Sequence, residues 1–248
     1  MKLKKIISGI LRCTGYDIVP INEIGVNPFR DMKSFLHGQQ SPIILDVGAN
    51  SGQTAKQFRR VFPDSMIHSF EPSPSTYEKL KTRCARFSNV KTWNCGVGAA
   101  NTTLTFQEND HSDMSSFLIP SKFCWGQIIR QIEVPVISLD TFAREQKFDF
   151  IHILKSDTQG YDLEVFKGAS RLMDENRIGM IYFEFIFSDM YKGSPPFHEM
   201  FLFLSQKNFS LVTFYEPNFQ QDLVSWTDVL FVNRDYYQKR LNLRAVAK

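Results

Sequence analysis

Ile43-Ile44-Leu45-Asp46-Val47-Gly48-Ala49-Asn50-Ser51-Gly52 is the stretch on which the fold turns. Its first half is apolar on both faces, as a parallel strand covered on two sides must be. Its second half is a glycine turn, and the residues after it place Ala55, Phe58 and Phe62 on one helical face before Pro63. A buried strand, a glycine turn and a helix open a doubly wound α/β sheet, whose ligands bind beyond the carboxyl ends of the strands. Gly48 and Gly52 stand four apart, so the G-x-G-x-x-G that seats a dinucleotide pyrophosphate is missing. No Gly-Lys-Ser/Thr follows for a triphosphate. An acid ahead of the turn suits a cationic or amine-bearing ligand better than a phosphate.

The chain downstream keeps alternating between apolar runs and helical patterns, which predicts a mostly parallel sheet. A second strand over Met66–Phe70 ends in Glu71-Pro72, 25 residues after Asp46. A carboxylate there accepts hydrogen bonds from ribose hydroxyls in doubly wound folds. Ser73 as N-cap with Pro74 after it starts a helix whose core face is Tyr77, Leu80, Cys84 and Phe87. A third strand is expected over 90–95 and a hairpin strand over 102–106. The polar residues 108–116 read as a loop able to cover a site, and 134–139 as an edge strand because of Pro135. A fourth central strand (148–154) leads into Lys155-Ser156-Asp157-Thr158-Gln159-Gly160, then one helix with Leu163, Phe166, Ala169 and Leu172 inward. A fifth strand (178–187) carries Glu184, a helix is marked by Phe197, Met200, Phe201 and Leu204, and 209–214 with 228–232 form a closing antiparallel pair.

Upstream, residues 1–41 differ in character and are read as a helical N-terminal extension to a domain over 42–248. Leu3, Ile6, Ile7, Ile10 and Leu11 form one helix face, flanked by Lys2, Lys4, Lys5 and Arg12. Such a stripe more often docks on its own domain or a second subunit, but it also fits an anionic membrane surface. The net charge of +3 is concentrated at the two ends, since 234–248 carries Arg234, Lys239, Arg240, Arg244 and Lys248 against Asp235. Residues 13–233 are therefore net negative, which disfavours nucleic acid as a partner. No apolar run reaches the ~18 residues of a membrane span, and the segment 6–11 is shorter than a secretory core. Cys13, Cys84, Cys95 and Cys124 show no metal-like spacing and read as reduced thiols of a cytoplasmic protein.

Asp46, the Gly48–Gly52 turn and Glu71 together describe a pocket for a nucleoside that carries an amino acid and no phosphates, namely S-adenosylmethionine. With Leu139-Asp140 and the run Leu154-Lys155-Ser156-Asp157-Thr158-Gln159-Gly160-Tyr161-Asp162-Leu163-Glu164-Val165-Phe166-Lys167-Gly168-Ala169, the sequence resembles the FkbM-type S-adenosylmethionine-dependent methyltransferases over roughly 42–233. That resemblance implies a class I methyltransferase, Rossmann-like fold with an antiparallel closing strand. It also implies O-methylation of a sugar, polysaccharide or secondary metabolite. Where this family commonly has Glu, the chain has Gln159, which argues against that side chain as a base or metal ligand. Asp46, Gly48, Asn50, Gly52, Thr54, Glu71, Pro72 and Asn94 make up the expected cofactor-binding set.

An alcohol attacking a methyl group must lose its proton, so a base nearby helps. Asp157 is the first candidate, with Lys155, Tyr161 and Glu184 behind it, and then His111 and Asp113 in the covering loop. Glu184 reads equally well as a structural carboxylate. His68 and His152 lie within strands and are expected in the core. Asp157 and Glu184 could meet around a divalent metal, although no metal ligands are assigned. Ser194-Pro195-Pro196-Phe197 looks like the motif of enzymes that methylate nucleobase amines, but it follows the wrong strand and heads a helix. A non-catalytic module with this fold would show no turnover, and an NAD-dependent oxidoreductase would need the missing glycines.

Overall fold

A computed structural model describes residues 13–14, 20, 23–36 and 38–246. The apolar stripe expected over 3–11, and the membrane contact considered for it, lie outside the described residues. Strand β1 (Ile43–Val47) runs parallel between β2 (Met66–Phe70) and β7 (Ile151–Ser156), placing Ile44 beside Ile67 and Ile153. Beyond β2 lies β3 (Val90–Trp93), and beyond β7 lies β8 (Ile178–Ile186), both parallel. The chain thus builds outward from β1 on one side, then returns to build on the other. The crevice between β1 and β7 is the topological switch point, where doubly wound sheets bind ligands.

The sheet closes with β11 (Leu223–Asn233), antiparallel to β8; its outer edge is shared by β9 (Phe209–Phe214) and β10 (Asn218–Gln220). This is the class I, Rossmann-like arrangement. Helices cover both faces. On one, α1 (Pro28–Leu36) and α2 (Gln53–Val61) bury Phe29, Met32, Phe35 and Phe58 against Ile44, Ile153 and Met180. Asp31 of α1 is also buried, accepting hydrogen bonds from Tyr215 Oη (3.0 Å) and Gly25 N (2.8 Å). Nearby in sequence, α3 (Pro74–Cys84) begins as read, with the Ser73 hydroxyl accepting from Thr76 N.

Two expectations are corrected. Residues 161–174 form two short helices, α5 (Asp162–Lys167) and α6 (Ser170–Asp174), after α4 (Leu139–Gln146). The break is at Gly168, where a Cβ would stand 2.0 Å from the Gly98 carbonyl oxygen, so the backbones meet. The hairpin region is also longer than expected. A second sheet has β6 (Ile128–Ile137) in its centre, between β4 (Gly96–Val97) and β5 (Thr102–Asn109). Pro135 does not mark an edge strand; β4 pairs only from Val136 onward, so Pro135 sits just where that pairing stops. Glu108 and Asn109 belong to β5 and are buried. Helices α7 (Phe197–Gln206) and α8 (Arg234–Val246) complete the described chain, and Pro196 caps α7.

All four cysteines are unpaired. Among the described residues no helix is long and apolar enough to cross a membrane.

Candidate active site

The site begins where the turn after β1 touches the turn after β7. Gly48 has φ +71°, and a Cβ on it would stand 1.8 Å from the Asp157 carbonyl oxygen. Only glycine fits so close an approach in that conformation. Asp157 N donates to Val47 O at 3.1 Å, tying the turns together. Asn50, also left-handed at φ 47°, accepts on Oδ1 from Ser51 N (2.6 Å) and from Ser112 Oγ (3.2 Å).

Beneath these turns lies a buried charge cluster. Lys155 Nζ is 3.3 Å from Asp46 Oδ1 and 3.5 Å from Asp157 Oδ2, and it donates to Gly48 O at 3.1 Å. Asp46 also accepts from Ser69 Oγ at 3.2 Å. Burial opposes the Lys155 charge, but Asp157 and Asp46 outweigh it and raise its pKa. Removing one member of such a cluster leaves an uncompensated buried charge, at about 3–5 kcal/mol. Asp46 and Lys155 form the floor on which the glycine turn and Asp157 rest, and Lys155 also lines a neighbouring polar cavity with Asp157 and Glu184.

Above that floor is a cavity. At one end, Glu71 and Pro72 face Cys95, Val97, Phe106 and Phe117. Burial raises the Glu71 carboxyl to about 7, partly offset by the N–H groups of Ser73 and Asn50. Ser73 N donates to Glu71 Oε1 at 2.9 Å. Asn94 Nδ2 donates to the carbonyls of Glu71 (2.9 Å) and Pro72 (3.1 Å), so it shapes this end from outside the cavity. The neighbouring Glu108 is neutralised by Arg130 Nε at 2.6 Å and also accepts from the Ser73 hydroxyl.

At the other end stand Asp157, Gln159 and Glu184, with Met190, Trp125 and Trp226 beyond them. The Gln159 amide donates to both carboxylates, to Asp157 Oδ1 at 3.1 Å and Glu184 Oε1 at 3.0 Å. Its own Oε1 lies 3.0 Å from Tyr191 Oη, which can donate to it. Burial, then the charges of Asp157 and Asp228, push the Glu184 carboxyl well above the usual range. Burial thus works against the charge on Glu184, while Asp157, with 36% of its side chain exposed, faces the cavity. Asp157 and Glu184 do meet, but around an N–H donor, which stands where a cation would have to bind. Among the described residues, no group of three or more His, Cys, Asp or Glu is arranged to hold a metal.

The loop between β5 and β6 closes over the cavity, with Ser112, Asp113, Met114 and Ser115 lining it. Ser112 holds Asn50, Ser116 Oγ donates to Gln159 O at 2.8 Å, and Tyr191 Oη lies 3.0 Å from Met114 O. Asp113 of the covering loop thus reaches the site.

The structure brings Gly48, Asn50, Glu71, Pro72, Asp157 and Glu184 into one cavity. Six expected residues do not line it: Asp46 and Lys155 beneath the turns, and Gly52, Thr54, Asn94 and Tyr161. Tyr161 packs its ring on Phe117 and lies along a separate groove with Ser194, Pro195 and Pro196. Thr54 faces a neighbouring polar cavity with Gln57, Tyr182 and Asp228. Gly52 meets Leu80 and Cys84, where it lets α2 pack on α3, and Asn94 acts through backbone carbonyls. His68 and His152 are buried, and burial lowers both to about 4. Trp125, Trp226, Met190, Phe106 and Phe117 were not read as site residues. Nothing local marks them, because they reach the cavity from the β5–β6 loop, the small sheet, the segment after β8 and the closing strand.

Residues 46–211 match the family model described as the Methyltransferase FkbM domain. The chain is 23% identical over 166 residues to the 2-O-methyltransferase NoeI of Sinorhizobium fredii (strain NBRC 101917 / NGR234), covering 62% of this chain and 68% of that protein. It is 28% identical over 157 residues to Methyltransferase sdnD of Sordaria araneosa, covering 52% of this chain and 61% of that protein. Among solved structures, an rRNA methylase from Streptococcus thermophilus aligns with a TM-score of 0.49 and 13% identity, over 85% of this chain and 99% of that one.

Proposed function

The chain belongs to the FkbM methyltransferase family, and from that premise we propose that it transfers a methyl group from S-adenosylmethionine to a hydroxyl of a glycan or secondary metabolite. The observation that carries this reading is a single cavity at the switch point, with a buried ribose-type carboxylate, Glu71, at one end and the Asp157–Glu184 pair at the other. When bound there, S-adenosylmethionine supplies an electrophilic methyl group on a positively charged sulfur.

Glu71 accepts from ribose hydroxyls, and Val97, Phe106 and Phe117 give a flat base an apolar bed. Asp157 takes the proton of the attacking hydroxyl. Lys155 and Gln159 fix its two oxygens, so its orientation is set before substrate arrives. Burial works against the charge on Glu184, which leaves the more exposed Asp157 as the acceptor. The covering loop excludes water and holds the reactants in line, from which displacement chemistry can gain much of its rate.

Calorimetry with S-adenosylhomocysteine tests the reading. Glu71→Ala should weaken binding at least tenfold, the loss of roughly one good hydrogen bond to a charged group. Asp157→Ala should bind within about twofold of the parent and lose about 10²–10⁴ in turnover on oligosaccharide acceptors. Absence of binding by the folded protein would refute the proposal, and the reverse pattern would overturn the two roles. As a further part of the proposal, the protein works in the cytoplasm without nucleic acid, held near the membrane by residues 1–12. Unchanged liposome binding after deletion of those residues would remove that last element.

A further inference from the structure

The end of the cavity remote from Glu71 has a composition of its own. Trp125 and Trp226 stand with ring centroids 5.7 Å apart and planes at 48°, forming one apolar wall. Trp226 is anchored in β11 opposite Ile186, whereas Trp125 comes from the covering loop and is 36% exposed at the rim. Asn109 Nδ2 donates to Trp125 O at 3.1 Å and fixes that part of the loop. Facing the wall are Asp157, Gln159 and Glu184. No Lys, Arg or His lines the cavity among the described residues, while Glu71, Asp113, Asp157 and Glu184 do.

Resting on the methyltransferase reading above, we infer that this Trp125–Trp226 wall is the acceptor subsite and that it takes a carbohydrate ring, neutral or amine-bearing, already freed from any nucleotide carrier. With Glu71 fixing the nucleoside end, the acceptor must reach Asp157 from the tryptophan side. A sugar ring has an apolar C–H face for the indoles and hydroxyls for Glu184, Gln159 and Asp157. An amine gains from the carboxylates and from the face of an indole. A diphosphate or a uronic carboxylate would meet Asp113 and Asp157, and the nearest cation, Lys155, is already shared between Asp157 and Asp46, so like charge would be brought together at a cost. In the transfer, the acceptor oxygen bonds the methyl carbon as the sulfur–methyl bond breaks. Its proton passes to Asp157, and the sulfur is left as a neutral thioether. The reaction supplying this substrate is therefore a glycosyl transfer that has already released the nucleotide diphosphate.

The wall contains two of the three tryptophans; the third, Trp93, stacks on His68 beside β2. Protein saturated with S-adenosylhomocysteine can be titrated by tryptophan fluorescence with a neutral oligosaccharide, the same compound bearing a free amine, UDP-glucose and glucuronic acid. The same four compounds are offered as methyl acceptors with S-adenosylmethionine. The first two should change the fluorescence and be methylated, with the two anions at least tenfold weaker. Trp125→Ala should raise the acceptor KM about tenfold, with donor affinity unchanged, and Trp125→Phe should restore most of it. Equal or better use of the anions, an unaltered KM in Trp125→Ala, or no response to either of the first two compounds would each overturn the inference. Failure to bind S-adenosylhomocysteine would instead overturn the methyltransferase reading.

Discussion

Glu71 couples the site to pH through a carboxyl that burial raises from 4.5 to about 7. In the folded protein it keeps its proton to near neutrality, whereas an unfolded chain loses it near 4.5. Its contribution to stability is therefore complete below the unfolded value and is lost as pH rises through about 7. On the proposed role, ligand binding has the opposite sign, because ribose hydroxyls would donate to the ionised carboxylate. Affinity for S-adenosylhomocysteine should fall by up to about tenfold per pH unit below 7 and level off above it. Glu71→Gln should bind weakly at pH 8 and show a flat profile. A parent protein with a flat profile from about pH 5.5 to 8 would contradict the assignment. The residue was legible in the sequence because an acid closing the second strand is a local signal; its raised pKa was not, because that follows from burial beside Glu108.

Among the elements, the turns after β1 and β7 act as one unit. Gly48→Ala would place a methyl 1.8 Å from a backbone oxygen in a left-handed conformation, so the turns must separate. We expect a loss of several kcal/mol, near the upper end of single substitutions, seen as a lower midpoint in urea. S-adenosylhomocysteine binding should go with it, and a stable variant that still binds would show that the turns need not touch. By contrast, Gly52→Ala meets the flexible end of Leu80 at 3.0 Å, so φ +88° is its main strain. The glycine turn could be read from spacing alone, whereas the small sheet could not. Ile128 and Ile129 are exposed and alternate weakly, and β5 and β6 are joined by a long loop. Parts of both strands could be read, over 102–106 and 134–139, but a pairing across so long a loop leaves no local signal of which strands meet or how far they run.

For the molecule as a whole, α1 is part of the core although it precedes the first strand. Phe29, Met32 and Phe35 lie with Phe58, Ile153 and Met180 in one cluster. Losing three such side chains would forfeit roughly 2–5 kcal/mol each, a large part of the ~5–15 kcal/mol that keeps a domain folded. A chain beginning at Pro42 should therefore be largely unfolded or aggregate at 25 °C, as circular dichroism and gel filtration would show. A cooperative transition at the parent's temperature would sink that expectation. The reading of 1–41 as an extension rested on the helical spacing over 3–11 and on composition, and neither says what the helix over 28–36 packs against.

The sequence by itself determined the parallel sheet, the switch-point turn, the carboxylate that closes the second strand and the placing of Asp157 beyond the fourth central strand. Each of these is written in consecutive residues, as strand periodicity, glycine spacing or a strand-end acid. Only the tertiary structure decided which of those residues line one cavity. Asp46 and Lys155 became a buried support, Gln159 a bridge between two carboxylates, and Trp125 and Trp226 a wall. The physical reason is that burial, charge coupling and ring contact depend on residues far apart in the chain, whose meeting is set by the packing of the whole molecule.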